Sequence, residues 1–150
     1  LFTQSIIADN VPQSEVPEFV IMVLSYKNEN YVKANLDSIC YQKSTKPYQI
    51  VCVNDCSPDK TGALMEEYVR EHNLSSKVKI IHNEKRAGML KNAYDTIHNH
   101  IPDHKIVVVV DGDDVLAHND VLLRLEQEYR NPDVWLTYGQ AIEIPGDKLV

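Results

Sequence analysis

Short apolar runs rich in β-branched residues alternate with stretches of helical periodicity along this chain. The runs cover residues 19–24, 48–53, 77–81, 106–110 and 134–138 and predict five strands. The connections between them are too long for hairpins, so the strands should pair mainly in parallel, with helices on both faces of the sheet. Residues 106–110 read as the most buried strand. The predicted fold class is therefore α/β.

The apolar residues between the strands recur at the spacing of helix faces. In the third of four predicted helices they are Leu90, Ala93, Tyr94 and Ile97. This helix ends before Pro102, which cannot continue it. The regular succession of strand and helix is typical of a single α/β domain.

Length and composition fit one globular domain with an attached arm. The chain has 150 residues, of which 43% are hydrophobic and 25% charged. Residues 1–18 are polar and predict a loose arm, and residues 19–150 predict the domain. Because the chain starts at Leu1 and not at Met, we expect it to be a piece of a longer protein.

Charge and cysteine content exclude several classes of protein. The chain has 15 Lys and Arg against 22 Asp and Glu, a net charge of −7, which argues against nucleic acid as a partner. No apolar run approaches the roughly 20 residues that span a bilayer. Three cysteines are too few for a disulfide framework, so a cytoplasmic setting fits. Membrane association is left open for a longer protein.

Polar segments directly follow three of the predicted strands. They are residues 25–28, 54–55 and 111–114. The carboxyl ends of parallel strands meet at one edge of a sheet, which is where ligands bind in α/β folds. The three segments should therefore lie together and form the functional site.

The segment after the fourth strand carries three carboxylates within four residues, at Asp111, Asp113 and Asp114. Such groups repel one another unless a cation lies among them, and oxygen ligands suit Mg²⁺ or Mn²⁺ shared with substrate phosphates. Gly112 would let a ligand approach the backbone of this turn closely. The turn therefore indicates a divalent-metal site. A solvated acidic turn and an aspartyl-phosphate phosphatase are the weaker interpretations.

Three residues outside the acidic turn have a functional or a structural interpretation. Asp55 could accept a hydrogen bond from the imide N–H of uracil, or it could form a local turn or helix cap. Arg86 could stack on a base or neutralise a phosphate, or it could be a solvated surface charge. Asn92 lies inside a predicted helix, where Asn is unfavourable, and either ties two loops together or lies on the surface.

Four segments of the chain resemble motifs of family 2 glycosyltransferases with the GT-A fold, and they occur in the family's order. They are residues 23–29, 53–61, 83–93 and 111–114, and the last of these matches the family's DxDD metal motif. The resemblance implies a GT-A domain, with a Rossmann-like sheet, that binds a nucleotide-diphosphate sugar.

The resemblance also implies roles for individual residues. The implied nucleotide-binding residues are Ser25, Tyr26, Asn28, Asp55, Arg86 and Asp111. Asp55 would contact the base, Arg86 would lie by the base or phosphates, and Asp111 would lie near the ribose. Asp113 would hold Mn²⁺ or Mg²⁺ at the diphosphate, with Asp111 and Asp114 as further candidate metal ligands. Asp114 could instead contact the sugar.

Two departures from the family pattern concern this site. Cys56 stands where the family has glycine, which questions the backbone shape of the turn after the second strand. The family's catalytic base lies well downstream of the DxDD motif, in an acceptor-binding half, and Glu143 and Asp147 come too early to replace it. No catalytic residue is therefore predicted in this chain, and we expect the chain alone to be inactive.

The expected function is inverting, metal-dependent transfer of a sugar from a nucleotide-diphosphate donor, with a UDP-sugar favoured. The acceptor, a glycan, lipid or protein, is not identified by the sequence. A non-catalytic nucleotide-sugar binding module is the first alternative. A sugar nucleotidyltransferase is the second, and it is disfavoured because the loop at residues 25–29 has no glycine.

Overall fold

The computed structural model describes residues 17–140, so residues 1–16 of the predicted arm, and also Glu143 and Asp147, lie outside it. The described part contains a parallel four-stranded sheet in the order β3-β2-β1-β4. Its elements are β1 (Phe19–Ser25), α1 (Val32–Cys40), β2 (Gln49–Asn54), α2 (Thr61–Glu71), β3 (Val78–His82), α3 (Met89–His100), β4 (Ile106–Asp111) and α4 (Val121–Glu128). None of these helices has the length and apolar content that a membrane crossing requires.

β1 lies inside the sheet and is buried on both faces. Phe19, Ile21 and Val23 pack on one face, with α1, α2 and α4. Met22 and Leu24 pack on the other face, against α3. A strand covered on both faces needs apolar side chains at successive positions, which explains the unbroken apolar run. The predicted α/β fold, a mostly parallel sheet with helices on both faces, is confirmed.

β4 is an edge strand of the described sheet, not its most buried strand. Within residues 17–140 it pairs with β1 alone, and Val109 is 57% exposed. Apolar composition does not reveal the place of a strand in the sheet order. The predicted burial of residues 106–110 is therefore wrong, although the strand itself is confirmed.

Residues 134–138 do not form the predicted fifth strand. They pair with no strand in the described range, and Trp135 and Tyr138 are 90% and 93% exposed. A strand needs a hydrogen-bonded neighbour, and an apolar pattern cannot show whether one is within reach.

α3 presents much of its apolar stripe to solvent and buries polar side chains against the sheet. Leu90 and Tyr94 are 84% and 61% exposed. Asn92 and Thr96, by contrast, are buried. The Asn92 amide oxygen accepts a hydrogen bond of 2.7 Å from Asn83 Nδ2, which offsets the cost of burying it. An apolar stripe ordinarily faces the core, but here a polar contact helps to set the orientation of the helix.

Candidate functional site

The three polar segments predicted to form the site meet at the carboxyl edge of the sheet. The backbone N–H of Asp55 donates to the carbonyl of Ser25 at 2.9 Å. The N–H of Gly112 donates to the carbonyl of Leu24, also at 2.9 Å. The strand pairing thus continues into the loops, and the loops after β1, β2 and β4 are held side by side.

A cavity of about 340 Å³ opens between these loops and the start of α3. Its lining residues are Leu24, Ser25, Tyr26, Asn28, Asp55, Arg86, Gly88, Met89, Asn92, Asp111 and Asp113. All six residues of the predicted nucleotide-binding set are among them, and so is Asp113, whereas Asp114 is not. The sequence did not single out Gly88 and Met89, although they lie within three residues of Arg86 at the start of α3.

Asp55 is buried and joins the loop after β2 to the start of α3. Its Oδ1 accepts hydrogen bonds from Asn83 Nδ2 and from the N–H of Ala87, and its Oδ2 accepts one from the N–H of Gly88, each at 2.8 Å. Burial alone raises the pKa of this carboxyl, but these hydrogen bonds and one from Asn92 outweigh it and lower the pKa to about 2. Asp55 is therefore a fixed anion at the cavity wall, and Asn92 ties two loops together, as one of its two interpretations predicted.

Arg86 and Tyr26 form a stacked pair that lines the same cavity. The guanidinium carbon of Arg86 lies 3.8 Å from the centre of the Tyr26 ring. Nζ of Lys27 lies 5.4 Å from the same ring. The face of an aromatic ring attracts cations, so the pair fixes a positive charge beside the cavity. Stacking of Arg86 on a base stays a prediction, and in the structure its guanidinium stacks on a tyrosine ring of the protein itself.

The loop after β1 holds its own shape and leaves one hydroxyl free. Asn28 Oδ1 accepts a hydrogen bond from the N–H of Tyr26, and the N–H of Asn28 donates to Thr61 Oγ1, both at 2.8 Å. Ser25 is 3% exposed, and its Oγ has no hydrogen-bond partner within residues 17–140. A buried hydroxyl without a partner is costly. With almost no exposed surface of its own, Ser25 Oγ stays unsatisfied at the cavity wall.

The acidic turn packs tightly against the loop after β1. A Cβ atom placed on Gly112 would lie 2.1 Å from Ser25 Oγ and 2.7 Å from Asn28 Oδ1. The glycine is thus required by the packing of the protein on itself. The explanation expected from the sequence, close approach of a ligand to this backbone, stays a prediction beside this packing reason.

The carboxylates of the acidic turn repel one another. Burial raises the pKa of Asp111, and the charges of Asp114 and Asp113 raise it further. Among residues 17–140, no three acidic, His or Cys side chains converge as a metal-binding group. The turn offers Asp111 and Asp113 to the cavity without a closed set of ligands. Such a pair fits a hard cation that takes its other oxygen ligands from a substrate and water.

Cys56 adopts the backbone conformation that a glycine would adopt at this position. Its φ is +55°, in the left-handed region that residues with a Cβ rarely occupy. The sequence left the shape of the turn after β2 in question, because Cys56 stands where the family has glycine. The turn nevertheless has a glycine-like shape.

A second cavity, of about 380 Å³, lies between β3 and α3. It is lined by side chains of both charges, including Lys85, Lys91 and Asp95, and shares only Asn92 with the first cavity. None of the predicted nucleotide-binding or metal-binding residues lines it. The predicted chemistry therefore belongs to the smaller cavity.

The parallel sheet and its carboxyl-edge site define an α/β domain of the GT-A glycosyltransferase fold. Glycosyl transferase family 2 matches residues 20–148, which is most of the chain. The chain therefore belongs to glycosyl transferase family 2. No curated protein sequence matches it significantly.

Solved glycosyltransferase structures share this fold. S. aureus TarS 1–349 in complex with UDP is 26% identical, with a TM-score of 0.61 over 73% of this chain and 31% of that one. Mannosyltransferase PcManGT from Pyrobaculum calidifontis, in complex with GDP-Man and Mn²⁺, is 18% identical, with a TM-score of 0.63 over 76% of this chain and 32% of that one. GalNAc-T7 with UDP, GalNAc and Mn²⁺ is 16% identical, with a TM-score of 0.59 over 77% of this chain and 21% of that one. The chain thus spans less than a third of the length of each of these proteins.

Proposed function

We propose that this chain binds the donor of an inverting, metal-dependent glycosyl transfer, and that the donor is a nucleotide-diphosphate sugar, with a UDP-sugar favoured. The observation that carries the proposal is the composition of the first cavity. It combines a stacked cation, Arg86 on Tyr26, with the carboxylates of Asp111 and Asp113. A nucleoside diphosphate has the matching parts, because its base can lie on a flat group and its phosphates need cations.

The base would lie against the loops after β1 and β2. The low pKa of Asp55 keeps its carboxylate charged, and a charged acceptor strengthens a hydrogen bond from an imide N–H such as that of uracil. Cytosine has no N–H at the corresponding ring position, so Asp55 would favour uridine. The UDP bound in the TarS structure, which is 26% identical, supports the same choice.

Asp113 and Asp111 would hold Mn²⁺ or Mg²⁺ together with oxygens of the diphosphate. When bound, a divalent ion stabilises the charge that develops on a diphosphate leaving group. The carboxylates of this chain would therefore orient the diphosphate leaving group. They would not select the acceptor. Asp114 does not line the cavity, so we assign the metal to Asp111 and Asp113 and leave Asp114 without a role.

The transfer also needs a group that removes the proton of the acceptor hydroxyl. No described residue is assigned this role, so we propose that the chain alone binds the donor without efficient turnover. The acceptor would be a glycan, lipid or protein, and no described residue is assigned to it. The exposed Cys56 and the buried Cys40 and Cys52 are free thiols, which supports a cytoplasmic location.

Isothermal titration calorimetry tests the proposal with UDP, CDP, ADP and GDP, each in Mn²⁺ and in EDTA. We expect UDP to bind most tightly and Mn²⁺ to increase its affinity. Asp113→Asn should remove most of this increase and leave the melting temperature unchanged, because Asp113 is exposed. Asp103→Asn, an exposed aspartate before the amino end of β4, is the matched control and should keep the full increase.

Equal UDP affinity in Mn²⁺ and in EDTA would refute the metal-dependent proposal. A preference for another nucleotide would refute the assignment of Asp55 to uracil. Assay of a longer form of the protein with acceptors then separates an enzyme from a non-catalytic binding module. Turnover by the 150-residue chain at the rate of the longer form would show that a base among its residues was overlooked.

A further inference from the structure

The side chain of Asn35 reaches from α1 into the acidic turn. Asn35 is 1% exposed. Its Nδ2 donates to the carbonyl of Asp111 at 3.0 Å and to the carbonyl of Asp114 at 2.7 Å. One amide group thus binds the first and the last carbonyl of the four-residue turn.

Two backbone N–H groups of the same turn are also hydrogen-bonded. The N–H of Asp114 donates to the carbonyl of Asp111 at 3.0 Å, and the N–H of Gly112 donates to the carbonyl of Leu24 at 2.9 Å. With the two carbonyls directed at α1, the side chains of Asp111 and Asp113 line the cavity. By fixing the peptide groups of the turn, Asn35 therefore also fixes the direction in which the carboxylates face the cavity.

Ser38 lies on the same face of α1 as Asn35, and Gln42 follows two residues after the end of this helix. Ser38 Oγ accepts a hydrogen bond from the N–H of Leu116 at 3.1 Å. Gln42 Nε2 donates to the carbonyl of His118 at 2.7 Å. These contacts hold the segment after the turn and do not touch its carbonyls. A substitution of Ser38 would therefore remove a contact between α1 and the segment after the turn. It would leave both hydrogen bonds of Asn35 to the turn in place.

We propose that Asn35 is a positioning residue for the divalent-metal site: by binding the carbonyls of Asp111 and Asp114, it sets the geometry in which Asp111 and Asp113 meet the diphosphate and its cation. The inference rests on the proposed donor site and extends it to a residue outside the cavity. An amide suits this role because it donates two hydrogen bonds and carries no charge. A carboxylate of the same shape would accept where Asn35 donates, and it would add a fourth negative charge beside the turn.

The test measures the increase in UDP affinity that Mn²⁺ produces over EDTA, in wild type and in Asn35→Asp. We expect this increase to fall by at least about tenfold, the cost of losing hydrogen bonds to a buried amide. UDP affinity in EDTA should fall much less than UDP affinity in Mn²⁺, since the residues proposed for the base are untouched. The electron paramagnetic resonance signal of Mn²⁺ bound together with UDP should also broaden as the ligand geometry becomes heterogeneous. Asn35→Ser, which keeps one donor, is a milder variant with an intermediate loss and covers the case in which Asn35→Asp does not fold.

Ser38→Ala is the control, and it should lower the melting temperature while keeping the full Mn²⁺ increase. If wild type shows the increase and the Asn35 variants keep it, the positioning role is wrong and the proposed donor site stands. If Ser38→Ala loses as much of the increase as Asn35→Ser, the effect is general loosening and the role is again wrong. If wild type shows no increase, the proposed metal site fails and this inference fails with it.

Discussion

Arg86 lies over the ring of Tyr26, with its guanidinium carbon 3.8 Å from the ring centre. Tyr26 belongs to the loop after β1, and Arg86 precedes α3, so the contact joins two loops on different sides of the cavity. An exposed arginine normally loses side-chain freedom when it binds an anion. The stacking on Tyr26 already restricts the side chain of Arg86, so less freedom is lost on binding. The guanidinium is in place before a ligand arrives.

Arg86→Gln should weaken UDP binding by about tenfold, because a charged hydrogen bond or ion pair to a phosphate or base is lost. Tyr26→Leu should weaken it less, by releasing the arginine. The double variant should show a coupling of about 0.5–1 kcal/mol between the two sites, measured by calorimetry as a double-mutant cycle. Arg70→Gln, an exposed arginine of α2, is the control. Additive effects of the two substitutions would mean that the stacked pair plays no part in binding.

Asp55 should make the stability of the domain depend on pH in the acid range. Its folded pKa of about 2 lies below the ordinary value of 3.8. A depressed folded pKa contributes stability that is complete above the unfolded pKa and is lost as the pH falls through the folded one. The contribution is about 2 kcal/mol, and it should decline between about pH 4 and pH 2.

Urea unfolding of wild type and Asp55→Asn from pH 2.5 to pH 7 measures this contribution. The difference between their free energies of unfolding should be largest above pH 5 and should shrink at the acid end. Asp103→Asn controls for the loss of one exposed carboxylate. A difference for Asp55→Asn that stays constant over the whole range would show that the loop contacts of Asp55 do not depend on its charge.

The position of the site could be predicted from the sequence because it follows from the parallel direction of the strands. Once the strands are parallel, the residues at the carboxyl ends of β1, β2 and β4 share an edge, so Ser25, Asp55 and Asp111 lie along it whatever their side chains do. The partners of these residues could not be predicted in this way. The contacts of Asp55 with Ala87 and Gly88 are made by backbone N–H groups, which every residue except proline carries and which leave no mark in the sequence.

The orientation of α3 and the role of Asn35 were beyond the sequence for a related reason. Helical periodicity shows that a stripe exists, but the face that packs depends on the competing contacts of both faces. In α3 the bonded Asn92 faces the sheet while Leu90 remains exposed. A buried Asn such as Asn35 reads as an unfavourable residue in a helix until the carbonyls that it binds are known.

Cys56→Gly should stabilise the domain, because glycine adopts the φ of +55° at this position without the strain of a Cβ. The left-handed region costs a residue with a Cβ about 1–2 kcal/mol, and the greater chain entropy of glycine removes about 0.5–1 kcal/mol of that gain. A net gain of about 0.5–1 kcal/mol is expected in chemical unfolding. Lys60→Gly is the control in the same turn, and it should lower stability because its φ is −81°. A loss of stability in Cys56→Gly would show that the thiol contributes more than its backbone costs.

Gly112→Ala should destabilise the domain and also weaken donor binding. The new Cβ would lie 2.1 Å from Ser25 Oγ, so the acidic turn and the loop after β1 must move apart. Overpacking of this kind costs about 1–3 kcal/mol, and the movement displaces two sides of the cavity. Gly139→Ala, where a Cβ meets no atom within 4 Å, is the matched control and should change neither stability nor UDP affinity.

Adding Ser25→Gly to Gly112→Ala should restore part of the stability, because only the contact of 2.7 Å with Asn28 Oδ1 would remain below 2.8 Å. If thermal unfolding gave Gly112→Ala and Gly139→Ala the same melting temperature, the two loops would not be packed as closely as the structure has them.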